Sequence, residues 1–302
     1  MALTGRSTRP KPVSNATGSK IALILLFPGL AYLGLFFITP LVSLALTSLQ
    51  VPSESGIIGE YDFGLEFGNY AYAIGEYSTQ IFRSFSYAVV ATIIALAISY
   101  PLAYFIGVKA RNRPLLQALL LTLVIAPFFI SFLLRTFAWK QIFANDGLIS
   151  NFLKATGILA QDEFIVGSSA AVVFGLVYNF IPFMTLPLYT NLERLDTSYL
   201  EAGSDLYASP TRTFLSVTLP LSIPGITSGT LLTFIPIAGD YVTASRDFLG
   251  GSDTSMLGNA VEINFFRVQD YPTAASLSVI LMAAIVALVA LYVRRSGTED
   301  LL

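Results

Sequence analysis

The chain has neither His nor Cys among its 302 residues, so the commonest general base, the commonest metal ligand and the thiol nucleophile are all missing. Disulfides and thiolate metal sites are excluded with them. The polar chemistry that remains is concentrated in two places. One is Asp240, an acid in an apolar stretch broken by Gly225, Gly229, Pro236 and Gly239. A carboxylate at the centre of a membrane helix costs about 2.5 to 3.5 kcal/mol on insertion scales, so it is expected to face a cavity or a partner. The other is the run Glu201-Ala202-Gly203-Ser204-Asp205-Leu206-Tyr207, followed after nine residues by Val217-Thr218-Leu219-Pro220. Charged Glu201, Asp205 and Arg212 alternate there with apolar Leu200, Ala202, Leu206 and Phe214, a mixed surface suited to a protein groove.

The elements that position these residues are membrane helices. With 54% hydrophobic and 12% charged residues, the chain is far more apolar than a soluble domain, whose charged fraction is about 25%. A net charge of −2 without a clustered basic face gives no case for nucleic acid. A spanning helix needs about 20 mostly apolar residues. Six segments meet that length: Ile21 to Leu49, Ser84 to Val108, Leu115 to Leu134, Ser168 to Leu192, Leu221 to Ala244 and Thr273 to Val293. The first follows Arg6, Arg9, Lys11 and Lys20, but it exceeds the roughly 7 to 15 apolar residues of a signal peptide and reads as a retained span. The domain organisation is then a tail at 1–20, a six-span domain at 21–293 and a tail at 294–302.

Basic residues set the expected orientation. With the N-terminus in the cytoplasm, eleven of the 17 Lys and Arg fall inside, Lys109, Arg111, Arg113, Arg194, Arg212, Arg294 and Arg295 among them. Both termini are therefore expected in the cytoplasm. The first outer loop carries Glu54, Glu60, Asp62, Glu66 and Glu76 without a Lys or Arg, which is ordinary topology bias or a docking face for cations.

Two connections have structure of their own. Outside, Asn145-Asp146-Gly147 signals a turn, and Leu148, Ile149, Phe152 and Leu153 recur at helical spacing up to Gly157, which predicts a short helix along the outer membrane surface. Inside, Ser198 and Glu201 have the spacing of a capping box, predicting a helix over Tyr199 to Tyr207. Ser209 before Pro210 is a second start signal, and Pro220 is expected to stop the helix that follows. Residues 196–220 thus form an elbow of two short helices.

That elbow resembles the EAA loop of ABC-importer permeases, whose pattern is Glu-Ala-Ala, three residues, Gly, nine residues, Ile, one residue, Leu-Pro. Pro127-Phe128-Phe129 through Trp139, the Asn145-Asp146-Gly147 turn, Leu186-Pro187-Leu188-Tyr189 and Gly239-Asp240-Tyr241-Val242 are similar to the PotB-type permeases of spermidine/putrescine importers. The resemblance covers most of residues 20 to 295. It implies an all-α type I permease fold of six transmembrane helices in the inner membrane, with a coupling helix seated on an ATPase dimer. It also implies a second, PotC-like permease, an extracytoplasmic substrate-binding protein, and ATP and Mg bound by the ATPase, with no cofactor or catalytic residue in this chain. No G-x-x-x-x-G-K-[ST] sequence occurs here, so the ATPase is a separate polypeptide. The coupling residues carried over are Glu201, Ala202, Gly203, Asp205, Leu206, Tyr207 and Pro210.

Two residues depart from the pattern. Gly203 replaces the second Ala, and Tyr207 replaces the Gly that would end the coupling helix in the left-handed region, which costs a bulky residue about 1 to 2 kcal/mol. The turn is therefore expected to be built differently, with the helix running into Ala208 or the Tyr207 ring packed on the ATPase.

For a polyamine, Asp240, Tyr241, Tyr178 and Trp139 form a candidate pathway set, since carboxylates and aromatic faces hold a flexible multi-cation. Equally, Asp240 could be a helix-end acid meeting water or Arg246, and Tyr178 and Trp139 interface-belt aromatics. Related permeases serve opines, other amines and ferric iron. A secondary transporter is opposed by the elbow, and an intramembrane enzyme by the lack of paired acids in a span.

Overall fold

The computed structural model describes residues 25–296; the expected tail at 1–20, the beginning of the first expected span and residues 297–302 lie outside them. α1 (Leu25–Thr47) is the first span; none of its residues is fully buried, and its second half lies against the start of the last helix. A two-stranded antiparallel hairpin pairs Val51 with Asp62 and Pro52 with Tyr61, and α2 (Gly68–Glu76) follows. α3 (Ser78–Tyr104) begins six residues earlier than the apolar run suggests and passes into a π-turn at Phe105–Lys109. Polar Ser78, Thr79, Gln80 and Arg83 are therefore helical, because Tyr77 and the packed first turn start the helix before its apolar part.

The third span is not the continuous helix expected over Leu115 to Leu134. α4 (Pro114–Ile125) tightens into a 3-10 turn at Ala126–Phe129, the backbone turns extended at Ile130, and α5 (Phe132–Phe143) leaves at 94°. Pro127 cannot donate to an i−4 carbonyl, which frees the helix to break there. α6 (Leu148–Ala155) is the short helix expected after the Asn145-Asp146-Gly147 turn, with Gly157 in the left-handed conformation just beyond it. α7 (Ser169–Glu193) is capped by Ser168, whose oxygen accepts from the Ala171 N–H at 3.2 Å.

Among the described residues, four helices are long and apolar enough to span, and up to six spans result if each of two bent pairs is one crossing. The second bent pair contains the elbow's exit, α9 (Pro210–Leu221), and α10 (Ile223–Ala238), which meet at 63° about Ser222. Pro220 does not stop α9. A π-turn at Phe214–Thr218 widens the helix just before it and makes room for the ring, so the break falls two residues later. α10 ends at Ala238, short of the expected Ala244, since Gly239 closes it and Asp240 begins a loop. α11 (Leu257–Ile263) and α12 (Tyr271–Ser296) are the last helices of the described residues.

α3, α7 and α10 pack against one another as the centre of the bundle, around fully buried Val172, Leu176, Met184, Leu188 and Ile237. Polar side chains join them where small residues bring backbones close. Ser99 and Thr185 share a hydrogen bond at 2.9 Å, and Tyr100 and Ser222 one at 2.8 Å. α3 and α7 run parallel: Tyr87 donates to Ser169 Oγ at their starts, and Gly107 lies against Leu192 and Glu193 at their ends. α10 runs antiparallel to both, so the elbow occupies one end of the bundle while the hairpin, α6 and the loop after α10 occupy the other. Ser276 Oγ donates to Ser48 O at 3.2 Å, which places the end of α1 and the start of α12 at that other end. Residues 25 and 296 therefore both lie at the elbow end.

Candidate functional site

The elbow begins at Asp196, whose Oδ1 accepts from the Ser198 N–H at 2.9 Å. α8 (Thr197–Asp205) starts one residue later, so Ser198 sits inside its first turn and Glu201 in its second. The expected capping box between them is not the cap; Asp196 is, since Asp caps as well as Ser does and it stands directly before the first helical residue. Bonding to the Ser198 backbone N–H and hydroxyl holds the Asp196 carboxyl below the usual range.

The end of α8 is also settled differently from the expectation. Tyr207 takes the left-handed conformation at φ 55°, and the Ala208 N–H donates to Gly203 O at 3.0 Å. That is a Schellman closure with Tyr where Gly is usual. The helix does not run on into Ala208, and the ring packs on nothing within the chain, being 98% exposed. The turn keeps its shape and Tyr207 bears the conformational cost. Gly203 is explained by the second helix of the elbow, since a Cβ there would fall 2.9 Å from both Thr213 Cγ2 and Oγ1. Ser209 caps α9 by accepting from the Arg212 N–H at 3.3 Å, with Pro210 in the first turn as expected. Glu201, Ala202, Asp205, Leu206 and Tyr207 are all exposed, so the elbow presents two acids and two large apolar side chains outward.

At the opposite end, Asp240 is buried in the loop after α10 rather than inside the span. Its Oδ1 accepts from the Thr243 N–H at 2.8 Å and its Oδ2 from the Thr243 hydroxyl at 3.2 Å. The carboxylate therefore shapes its own loop. Arg246 lines a separate polar cavity of about 350 Å³ together with Asp247, Asn259, Glu262 and Arg267. Tyr241 is half exposed, and its carbonyl accepts from Asn259 Nδ2. Trp139 and Tyr178 do come together, with ring centroids 5.2 Å apart in an edge-to-face pair, and Phe174 joins them 4.6 Å from Trp139. The four expected pathway residues thus divide into an aromatic pair on α5 and α7 and a loop pair after α10.

Sequence reading passed over Arg135. It is 8% exposed, lies over the Phe132 ring at 5.9 Å, and its Nε and Nη1 have no hydrogen-bond partner. At the next residue, Thr136 Oγ1 accepts from Asn179 Nδ2 on α7 at 3.1 Å, and Asn179 Oδ1 is left unpartnered. The signal was a lone Arg in the apolar run Phe132 to Trp139. Arg135→Met is expected to raise the melting temperature of the purified protein, because it replaces a buried charge without a compensating partner by an apolar side chain of similar length. A lower melting temperature would show that Arg135 has a stabilising partner. At the elbow end, a groove of about 590 Å³ between α7 and α10 is lined by Phe128, Phe183, Asn191, Arg194 and Ser228.

A bundle of broken and unbroken spans with a capped, outward-facing elbow between the fourth and fifth crossings is the architecture of an importer permease. The chain belongs to the family of binding-protein-dependent transport system inner membrane components, whose model matches residues 99–296. It is 31% identical over 279 residues to the spermidine/putrescine transport system permease protein PotB of Salmonella typhimurium (strain SL1344), covering 92% of this chain and 94% of that protein. Its identity to PotB of Escherichia coli (strain K12) is 34% over 221 residues, covering 73% and 78%. The same fold occurs in the crystal structure of a bacterial alginate ABC transporter in complex with an alginate pentasaccharide-bound periplasmic protein, with TM-score 0.66 and 12% identity, covering 95% of this chain and 97% of that one. The chain is a multi-pass permease subunit of the ABC-importer kind.

Proposed function

We propose that this chain imports polyamines, spermidine or putrescine, delivered by an extracytoplasmic binding protein, as one half of a permease pair with a PotC-like partner. An ATPase dimer that binds ATP and Mg sits on the elbow, and both termini of the chain are cytoplasmic. The observation that carries the reading is the elbow itself: Glu201, Ala202, Asp205, Leu206 and Tyr207 face outward from a helix closed at both ends by its own caps. An isolated helix of this length is marginal in water, and a rigidly capped one with exposed Leu and Tyr is prepared for a groove. Resemblance to the PotB relatives supports the choice of cargo. Along the pathway, the faces of Trp139 and Tyr178 would meet an ammonium group by cation–π attraction, worth about 0.5 to 2 kcal/mol, with Tyr241 at the mouth and Asp240 fixing the loop that presents it.

Single cysteines test orientation and docking together, because the native chain contains none. Cys at Ser55 should react with an impermeant thiol reagent on intact cells. Cys at Thr211, exposed beside the coupling helix, should react only in inside-out vesicles and more slowly once the ATPase is bound. Labelling of Thr211→Cys from outside, or a rate indifferent to the ATPase, would overturn the reading.

A further inference from the structure

We infer that α3 is the rod by which movement of the elbow reaches the opposite end of the bundle, with Arg111, Tyr100 and Phe214 as the positioning residues that fasten the elbow to it. This rests on the proposed docking of an ATPase to the elbow.

The elbow is tied at one end to the turn that follows α3 and at the other to α3 itself. At its start, the Arg111 guanidinium donates through Nη2 to Leu195 O at 3.0 Å and to Glu193 O, the last carbonyls before the Asp196 cap. Just before Arg111, the π-turn at the end of α3 lies directly on the end of α7, where a Cβ on Gly107 would come within 3.2 Å of the Glu193 nitrogen and 3.4 Å of Tyr189 O. Ile106 and Leu192 close this joint, both fully buried. At the elbow's other end, the Phe214 ring stands edge-on to Tyr100 and Tyr104, with centroids 5.6 and 6.1 Å away. Tyr100 reaches past it to Ser222, the residue at the 63° bend between α9 and α10. The outward residues Glu201, Ala202, Asp205, Leu206 and Tyr207 lie between these two fastenings. A push on them arrives at α3 from both sides.

The far end of α3 is fastened as firmly. Ser84 Oγ accepts from the Leu257 N–H at 2.7 Å, and Arg83 Nη1 donates to Ser255 O at 2.9 Å. Asn259, in the helix that Leu257 starts, holds the Tyr241 carbonyl beside Asp240. A helix of 27 residues, about 40 Å long at 1.5 Å per residue, therefore joins the elbow to the loop that carries Asp240 and Tyr241. Packed helices transmit displacement as rigid bodies because their interfaces resist continuous deformation.

Complete complexes of this chain with its ATPase and partner permease, reconstituted in liposomes with the binding protein and spermidine, give the test. ATP hydrolysis and uptake are measured in the same vesicles. Phe214→Ala and Arg111→Met are expected to retain the ATPase and hydrolyse ATP, while spermidine moved per ATP falls about ten-fold. Phe214→Tyr should restore the ratio, which a general loss of packing would not predict. Tyr100→Phe removes only the bond to Ser222 and should lower the ratio about three-fold; it decides the matter if the other variants fail to assemble. An unchanged ratio in the variants that assemble overturns the role of α3 and leaves the docking reading intact. Failure of the unaltered chain to hold an ATPase or to take up spermidine refutes the docking or the cargo reading instead.

Discussion

Membranes carrying Glu201→Lys are expected to contain normal amounts of the protein and to import at least about ten-fold less substrate. The helix itself should survive the change. Glu201 lies in the second turn of α8, the cap is Asp196, and the side chain is exposed, so the substitution falls among surface changes that cost no more than about 0.5 kcal/mol. What it alters is the charge offered to the ATPase. A like charge brought against a partner built for an acid costs several kcal/mol, and each 1.4 kcal/mol or so is ten-fold in binding. Immunoblots of membranes alongside uptake of labelled spermidine separate the two effects. Wild-type import at wild-type abundance would remove Glu201 from the coupling surface, and a loss of protein from the membrane would show that the carboxylate supports the fold.

The parts of this structure legible in sequence are those decided by local chemistry. Long apolar runs fixed α1, α7 and α12, and Ser209 and Gly157 marked the start of α9 and the end of α6 because a side-chain oxygen and a missing Cβ act within three residues. The exposed face of the elbow was legible in the same way, from alternation of Glu201, Ala202, Asp205 and Leu206. What misled was composition read as continuity. The run Leu115 to Leu134 is mostly apolar, yet Pro127 and the extended Ile130 break it, and hydropathy does not register backbone direction. Asp240 was placed inside a helix for the same reason; its actual partner, Thr243, is three residues ahead in a loop whose existence depends on Gly239 ending α10. Tyr207 shows the reverse error. Its propensity opposed a left-handed turn, but the closure from Ala208 to Gly203 and the seating of Thr213 on Gly203 over-determine the backbone there. Arg135 stayed unseen because its burial comes from the turn of α5 after the break, which no window of sequence contains.

Gly250→Ala is expected to destabilise the folded protein by about 3 to 5 kcal/mol. The loop after α10 doubles back so tightly that a Cβ on Gly250 would sit 1.9 Å from the Ala244 carbonyl oxygen and 2.4 Å from its carbon. Backbone cannot yield to that as a flexible side chain could. The same turn is held by the Gly250 N–H on Ser245 O at 3.0 Å and by the Leu249 N–H on Thr243 O at 3.3 Å, so opening it disturbs the residue that bonds Asp240. Leu249 would move as well. It is fully buried against Phe143 and Ala171, with Trp139 packed beside them, and its carbonyl accepts from the Gly167 N–H at 2.9 Å. Overpacking a tight site costs about 1 to 3 kcal/mol, and losing a buried Leu contact adds about 2 more. Together these approach the whole stability of an ordinary domain, about 5 to 15 kcal/mol. The variant should accumulate poorly in membranes and, once solubilised, unfold at a clearly lower temperature than the unaltered chain. Substitution at Gly75, where a Cβ meets nothing within 4 Å, serves as the matched control and should leave both measures unchanged. If Gly250→Ala accumulates and melts like that control, the close approach of Gly250 to Ala244 is not a feature of the folded protein.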